Sequence, residues 1–219
     1  MAADAPVIET GRKESVRKEL KTLFNAIRKQ ENETVRSLLK QDSSLVNTCA
    51  SAPPKKDDGQ SPLQIAFKTG NFEIAALLID MGANIHFMEE SAVNEWRTPV
   101  LHDALRAAAF TARDGKIVCD DKFKQAIALV HRLLAMGADP NAVDSYGNNA
   151  LLRALMDSRQ RLCVEPGFPN RVGNEKLNSD LREILQALIT AGADINASTP
   201  NRESAKVSAK EPALAWLIQ

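Results

Sequence analysis

The chain has 219 residues, 44% of them hydrophobic and 26% charged, which fits a folded globular protein and excludes a wholly disordered one. Lys and Arg number 28, as do Asp and Glu, so there is none of the basic excess on which general nucleic-acid and membrane-surface binders rely. No apolar run approaches the ~20 residues that cross a bilayer, and the first fifteen residues lack the apolar core of a secretory signal, so a cytoplasmic protein is expected. Cys49, Cys119 and Cys163 lie far apart without a C-x-x-C pair, which argues for free thiols in a reducing compartment and against zinc or disulfides. Aromatic residues make up only 5%, so the core must come from Leu, Ile, Val and Ala.

In chain order, residues 1–14 read as a mobile leader, and TLFNAIRKQEN at 22–32 as a short helix. VRSLLKQDSSLVNT at 35–48 carries a second apolar run that ends in Val46-Asn47. The pair then recurs. SPLQIAFKTGN at 61–71 precedes IAALLIDMGANIHF at 74–87, and TPVLHDALRAA at 98–108 precedes IALVHRLLAMGADPNAVD at 127–144. NNALLRAL at 149–156 precedes ILQALITAGADINAST at 184–199, and EPALAWLI at 211–218 reads as the start of a fifth copy.

Each short helix holds two apolar residues three apart, on one helix face: Leu23/Ala26, Leu63/Ala66, Leu101/Ala104, Leu151/Ala154 and, in the fifth, Leu214/Leu217. Ser61 and Thr98 are expected to cap their helices, with Pro62 and Pro99 in the first turn, where no amide partner is lost. The longer helices carry the apolar stripes Ile74-Leu77-Leu78, Ile127-Val130-Leu133-Leu134 and Leu181-Ile184-Leu185-Leu188-Ile189. Gly82, Gly137 and Gly192, at a constant interval of 55, each end one of them. A single pair cannot bury its own apolar face, so copies must stack.

Ser61-Pro62-Leu63-Gln64-Ile65-Ala66, the turns Gly137-Ala138-Asp139-Pro140-Asn141 and Gly192-Ala193-Asp194-Ile195-Asn196, and the tip Asp144-Ser145-Tyr146-Gly147 together resemble the ankyrin-repeat family. Thr98-Pro99-Val100-Leu101-His102-Asp103-Ala104 holds the family's T-P-L-H-x-A pattern with one extra residue. The resemblance runs from about residue 20 to the end. It implies an all-α ankyrin-type solenoid of about four repeats (20–51, 57–88, 95–142, 144–197) with a partial cap at 198–219, all within one domain over 15–219. Family repeats are about 33 residues long, so the interval of 55 requires insertions. AAFTARDGKIVCDDKFKQ at 108–125 reads partly as lengthened helix, and RLCVEPGFPNRVGNEKLNS at 161–179, rich in Pro and Gly, as a loop. Both leave the same edge and are expected to lie side by side, as a recognition surface or as tolerated insertions. Further extra residues sit in hairpins near Ala52–Lys56 and Met88–Glu95.

No catalytic constellation is legible. His86, His102 and His131 fall in different elements, with no H-E-x-x-H, G-x-S-x-G or phosphate-loop pattern. The resemblance gives His102 a structural role, linking neighbouring loops by a hydrogen bond. It also implies a partner held on the concave face of hairpin tips and first helices. On the hairpins that face offers Lys56, Asp57 and Asp58, then Glu89, Glu90, Trp96 and Arg97, then Ser145, Tyr146 and Asn148. Lys55, Gln60, Asn201 and Arg202 lie beside them. Trp96 and Tyr146 stand out as aromatics. On the first helices it offers Arg28, Lys29, Lys68 and Arg106, a strip of four cations that would suit an acidic partner, followed by Met156 in the fourth repeat. The expected function is a non-catalytic adaptor or inhibitor, monomeric by itself, that binds another protein and uses no cofactor, metal, nucleic acid or membrane. The alternatives are a toxin-neutralising immunity protein, a host-directed effector, a fragment of a longer scaffold, or an enzyme that uses the insertions.

Overall fold

A computed structural model describes residues 18–52, 54–113, 120–162, 174–210 and 215. Among the described residues the regular structure is helical, with isolated antiparallel bridges and no strand, and turns join the helices. The helices are α1 (18–29), α2 (Asn32–Gln41), α3 (Pro62–Lys68), α4 (Phe72–Asp80), α5 (Val100–Thr111), α6 (Asp120–Ala135), α7 (Ala150–Leu162), α8 (Glu175–Thr190) and α9 (Ala205–Ser208). They fall into two compact units, one of residues to Asn84 with Glu90–Asn94, the other of Ile85–Glu89 with Glu95 onward.

In the first unit, α3 shows why the short helices form. Ser61 accepts from the Gln64 amide at 3.3 Å, the Gln64 side chain accepts from the Ser61 amide at 3.2 Å, and Pro62 takes the first turn. Two amides that a helix start leaves open are thereby satisfied. Leu23/Ala26 and Leu63/Ala66 are all buried, as the spacing required. Asn71 caps α4 by accepting from Ile74 N, and its amide donates to Ile27 O at 3.2 Å and to Asn32 Oδ1 at 2.9 Å, so one cap also ties two repeats. The inserted hairpin residues close over Asp58, whose carboxylate accepts from Ala52 N (2.7 Å), Ser91 Oγ (2.8 Å) and Ala92 N (2.8 Å). Gly59 lies beneath that cover with φ +72, and a Cβ there would stand 2.0 Å from Ser91 N, so no other residue fits.

The second unit holds α5 to α9. Leu101/Ala104 and Leu151/Ala154 are buried, as are Ile127, Val130, Leu133, Leu181, Ile184, Leu185 and Leu188. Leu134 and Ile189 lie at the edge of their stripes and are half-buried. Gly137 ends α6 at φ +91, a left-handed turn that a side chain would disfavour. Hairpins close on the bridges Met88↔Pro99, Val143↔Asn149 and Thr199↔Arg202.

One clip recurs in both units. Asn47 donates to Gly82 O at 3.1 Å and accepts from Asn84 N at 2.7 Å. Asn141 likewise donates to Gly192 O at 3.1 Å and accepts from Asp194 N at 2.8 Å. His86 stands at the equivalent sequence position in the second repeat.

Two expectations are corrected. Thr98 does not cap α5: Pro99 takes the N-cap position, and the Thr98 hydroxyl donates to Asp103 Oδ2 at 3.2 Å. The extra residue in the motif moves the threonine one place too far upstream. Much of the 161–179 segment is not loop, because 161–162 complete α7 and 175–179 open α8, which Asn174 caps from Leu177 N at 3.1 Å. Ahead of the segment read as a fifth copy stands α9, capped by Ser204. Alanines 205 and 209 are its buried residues, too small to register as an apolar run. Of residues 211–218 only 215 is described. Residues 1–14, Cys119, Cys163, Leu214, Leu217 and the remaining parts of both insertions lie outside the described residues.

Candidate functional site

The insertions act largely through helix length. α3 has 7 residues and α4 has 9, whereas α5 to α8 have 12, 16, 13 and 16. The added turns bring their own core, with Ala108, Ala109, Phe123, Leu162, Leu177 and Leu181 all buried. They are pinned by charge-assisted bonds. Asp180, with no exposed side-chain surface, accepts from Arg113 N at 2.8 Å and Arg113 Nε at 3.0 Å, and Arg161 Nη2 donates to Ala112 O at 2.8 Å. Helix ends on both sides of the insertions thus lie together, as their shared edge implied.

Ahead of α7, the hairpin 144–149 is organised around Asp144. Its carboxylate accepts from the Trp96 indole N–H (3.1 Å), the Tyr146 and Asn148 amides (3.0 and 2.9 Å) and the Asn148 side chain (2.9 Å). Burial pushes the Asp144 carboxyl up, but the bonds from Asn148 and Trp96 outweigh that and hold it below the usual carboxylate range. Neighbours on both sides reinforce the turn. Ser145 exchanges bonds with Arg97 and donates to Glu95 O, while Arg202 Nε donates to Asn148 Oδ1 at 2.8 Å and Thr199 Oγ1 to Gly147 O at 3.0 Å. His102, buried, bonds Ala142 O through Nε2 at 3.0 Å. Because a carbonyl only accepts, that nitrogen carries the proton. This is the loop-linking role that the motif implied.

The sequence-selected contact residues therefore separate. Asp57, Asp58, Glu89 and Asn148 are buried, each at 6% exposure or less, and they hold hairpins instead of facing a partner. Periodicity could not reveal this, since an acid at a hairpin reads equally as surface or as turn-organising ligand. Trp96 is half-buried, hydrogen-bonded to Asp144 and stacked under Arg153, whose Cζ lies 5.0 Å from the ring. Lys56, Lys68, Glu90, Arg97 and Ser145 are exposed, as are Tyr146 at 42% and Met156 at 42%.

Arg28, Lys29 and Arg106 of the cation strip each have a carboxylate partner. Arg28 is paired with buried Asp57, Lys29 sits 3.8 Å from Glu31, and Arg106 Nη1 donates to Asp157 Oδ1 at 2.7 Å. Asp157 is 1% exposed and takes a second guanidinium from Arg153 at 2.8 Å. Phe110, 40% exposed, was missed because it lay in the segment assigned to insertion. Arg106 Cζ stands 4.7 Å from its ring centre and Arg161 Cζ 5.9 Å. Among the described residues, no group of three or more His, Cys, Asp or Glu could hold a metal, and no helix is long and apolar enough to cross a membrane.

Residues 8–109 match the family model for ankyrin repeats in three copies. That stretch, just under half of the chain, is built of ankyrin repeats. The ankyrin geometry continues past residue 109, since the Asn141 clip repeats the Asn47 clip atom for atom. No curated protein matches the chain. Ankyrin repeats are generally protein–protein interaction modules and are typically non-catalytic.

Proposed function

We propose that the chain is a non-catalytic adaptor or inhibitor that grips another protein through the second unit, using the 144–149 hairpin and the outward faces of α5 and α7. The observation that carries this reading is Tyr146, 42% exposed at the tip of a turn fixed by Asp144 beneath it and by neighbouring hairpins on both sides. A large aromatic held in place this way loses little conformational freedom on binding, which is the condition that favours a hot spot. Phe110 and Met156 add exposed apolar area on helices that pack against each other. Arg97 and Ser145, exposed in the same unit, would sit at the polar margin of such a contact.

A photo-crosslinking amino acid at Tyr146 or Met156, in cells that express the chain, should give a covalent adduct with one discrete protein. The same probe at Glu183 on α8 should not. Adducts of equal yield from all three positions, or none from Tyr146 and Met156, would remove this reading. The identity of the adduct then separates an adaptor from a toxin-neutralising or host-directed role.

A further inference from the structure

Across the hairpin before α5, α7 and the lengthened end of α5, five side chains form a continuous series. The Trp96 ring lies 5.0 Å from Arg153 Cζ, Arg153 Nη2 donates to Asp157 Oδ1 at 2.8 Å, Arg106 Nη1 donates to the same oxygen at 2.7 Å, and Arg106 Cζ lies 4.7 Å from the Phe110 ring centre. The charges do not balance. Asp157, 1% exposed, stands between two guanidiniums. Asp144, bonded to the Trp96 indole, supplies a second carboxylate at the Arg153 end, and Arg161, its Cζ 5.9 Å from the Phe110 ring, a third guanidinium at the other, so the surplus positive charge lies at the Arg106–Phe110 end. That surplus is accessible on one side, since the Arg106 side chain is 37% exposed and the Arg153 side chain 15%.

A guanidinium has five N–H donors in one plane, and the bond to Asp157 uses one of those on Arg106. Its stack on Phe110 and its bond to Asp157 fix that plane, so an incoming anion need not order it. Exposed apolar surface adjoins the charge at Phe110 and, next to Asp157 in α7, at Met156. A single preorganised positive charge beside apolar area suits a monoanion carried by an apolar chain. It does not suit a polyanion, and a chain with 28 basic and 28 acidic residues has no wider field to gather one.

We infer that Arg106, oriented by Asp157 and Phe110, receives a carboxylate side chain from an acidic segment of the partner protein, with an apolar residue of that segment lying against Phe110 and Met156. The inference rests on the protein-binding reading above and deepens it by naming what the partner presents.

Isotope-labelled full-length chain, titrated with a short synthetic peptide alternating glutamate and leucine, tests it directly. Expected are saturable shifts of the Trp96 indole and of amides around Arg106, Phe110 and Met156, weakened by added salt. The same peptide with lysine for glutamate should leave them unmoved, and the glutamine version should bind about tenfold more weakly. Arg106→Gln should weaken the glutamate peptide by a similar factor while the remaining amide spectrum stays native, because Arg153 still pairs with Asp157. Phe110→Ala should weaken it too, and Arg36→Gln in the first unit should not. No saturable shift with the glutamate peptide, equal binding of the glutamine or lysine peptide, or full binding by Arg106→Gln each overturns the inference. Position-specific cross-links at Tyr146 and Met156 that persist in Arg106→Gln would leave the interaction module standing without this recognition.

Discussion

Gln30 is the one described residue other than glycine with positive φ, at 59°, and it ends α1 where Gly70 ends α3 at 66°. Left-handed backbone costs an ordinary L-residue about 1–2 kcal/mol, partly offset by the greater unfolded-state entropy of glycine. Gln30→Gly should therefore stabilise the chain by about 0.5–1 kcal/mol, measured by denaturant unfolding. His102 makes the pH argument. Burial holds its pKa down to about 4, against 6.5 for the ordinary ring, with the bond to Ala142 only partly opposing. In that window the unfolded chain takes up a proton that the folded chain refuses, so the contribution is whole above about pH 6.5 and is lost as pH falls toward 4. The difference amounts to about 3 kcal/mol. Gln64 occupies the same motif position in the second repeat, so His102→Gln keeps a donor in place and should flatten the stability–pH curve between those limits. Reading the sequence was reliable where a residue's role is local. The Ser61 cap and the Leu/Ala anchors followed from spacing, and the His102 link from the resemblance to the family motif. It was unreliable where burial decides, and Asp58 and Asn148 became internal ligands because a neighbouring segment covers them.

Helix length was the least legible quantity. The lengthened ends of α5 and α7 carry many alanines and arginines, among them Ala107–Ala109, Arg159 and Arg161, which give little periodic signal. What holds these turns is Asp180, and that tie joins residues 67 apart in sequence. Arg113→Ala would leave a fully buried carboxylate without its main countercharge and should cost about 3–5 kcal/mol, by thermal or denaturant unfolding. Leu133, with no exposed surface in the stripe of α6, should cost ~2–5 kcal/mol as Leu133→Ala. A loss below about 1 kcal/mol at either site would contradict the packing described. Lys68, exposed, should tolerate Ala within about 0.5 kcal/mol.

At the scale of the molecule, the repeats within each unit lean on one another, so local stability should follow how many neighbours an element has. Within the second unit α9, four residues long, packs on α7, whereas α5 packs on α6, α7 and α8. Native-state amide exchange should be fastest in α9 and slowest in the middle of α5 and α8, and the reverse order would count against nearest-neighbour stabilisation. The all-α repeat class was legible from the helix-start motifs, the Gly-Ala turns and the Asp144–Gly147 tip taken together, in a fixed order along the chain. The division into two compact units was not, since no break in composition marks residues 85–95.

The clips made by Asn47 and Asn141 touch only main-chain atoms of the copy that follows, a glycine carbonyl and an amide two residues on. Such a fastening is indifferent to the side chains it joins. Any hairpin that presents those two backbone groups can be accepted, whatever else the copy contains. That tolerance gives one copy room to grow by whole helical turns while its coupling to the next stays unchanged, and it marks these junctions as the natural places to exchange one copy for another.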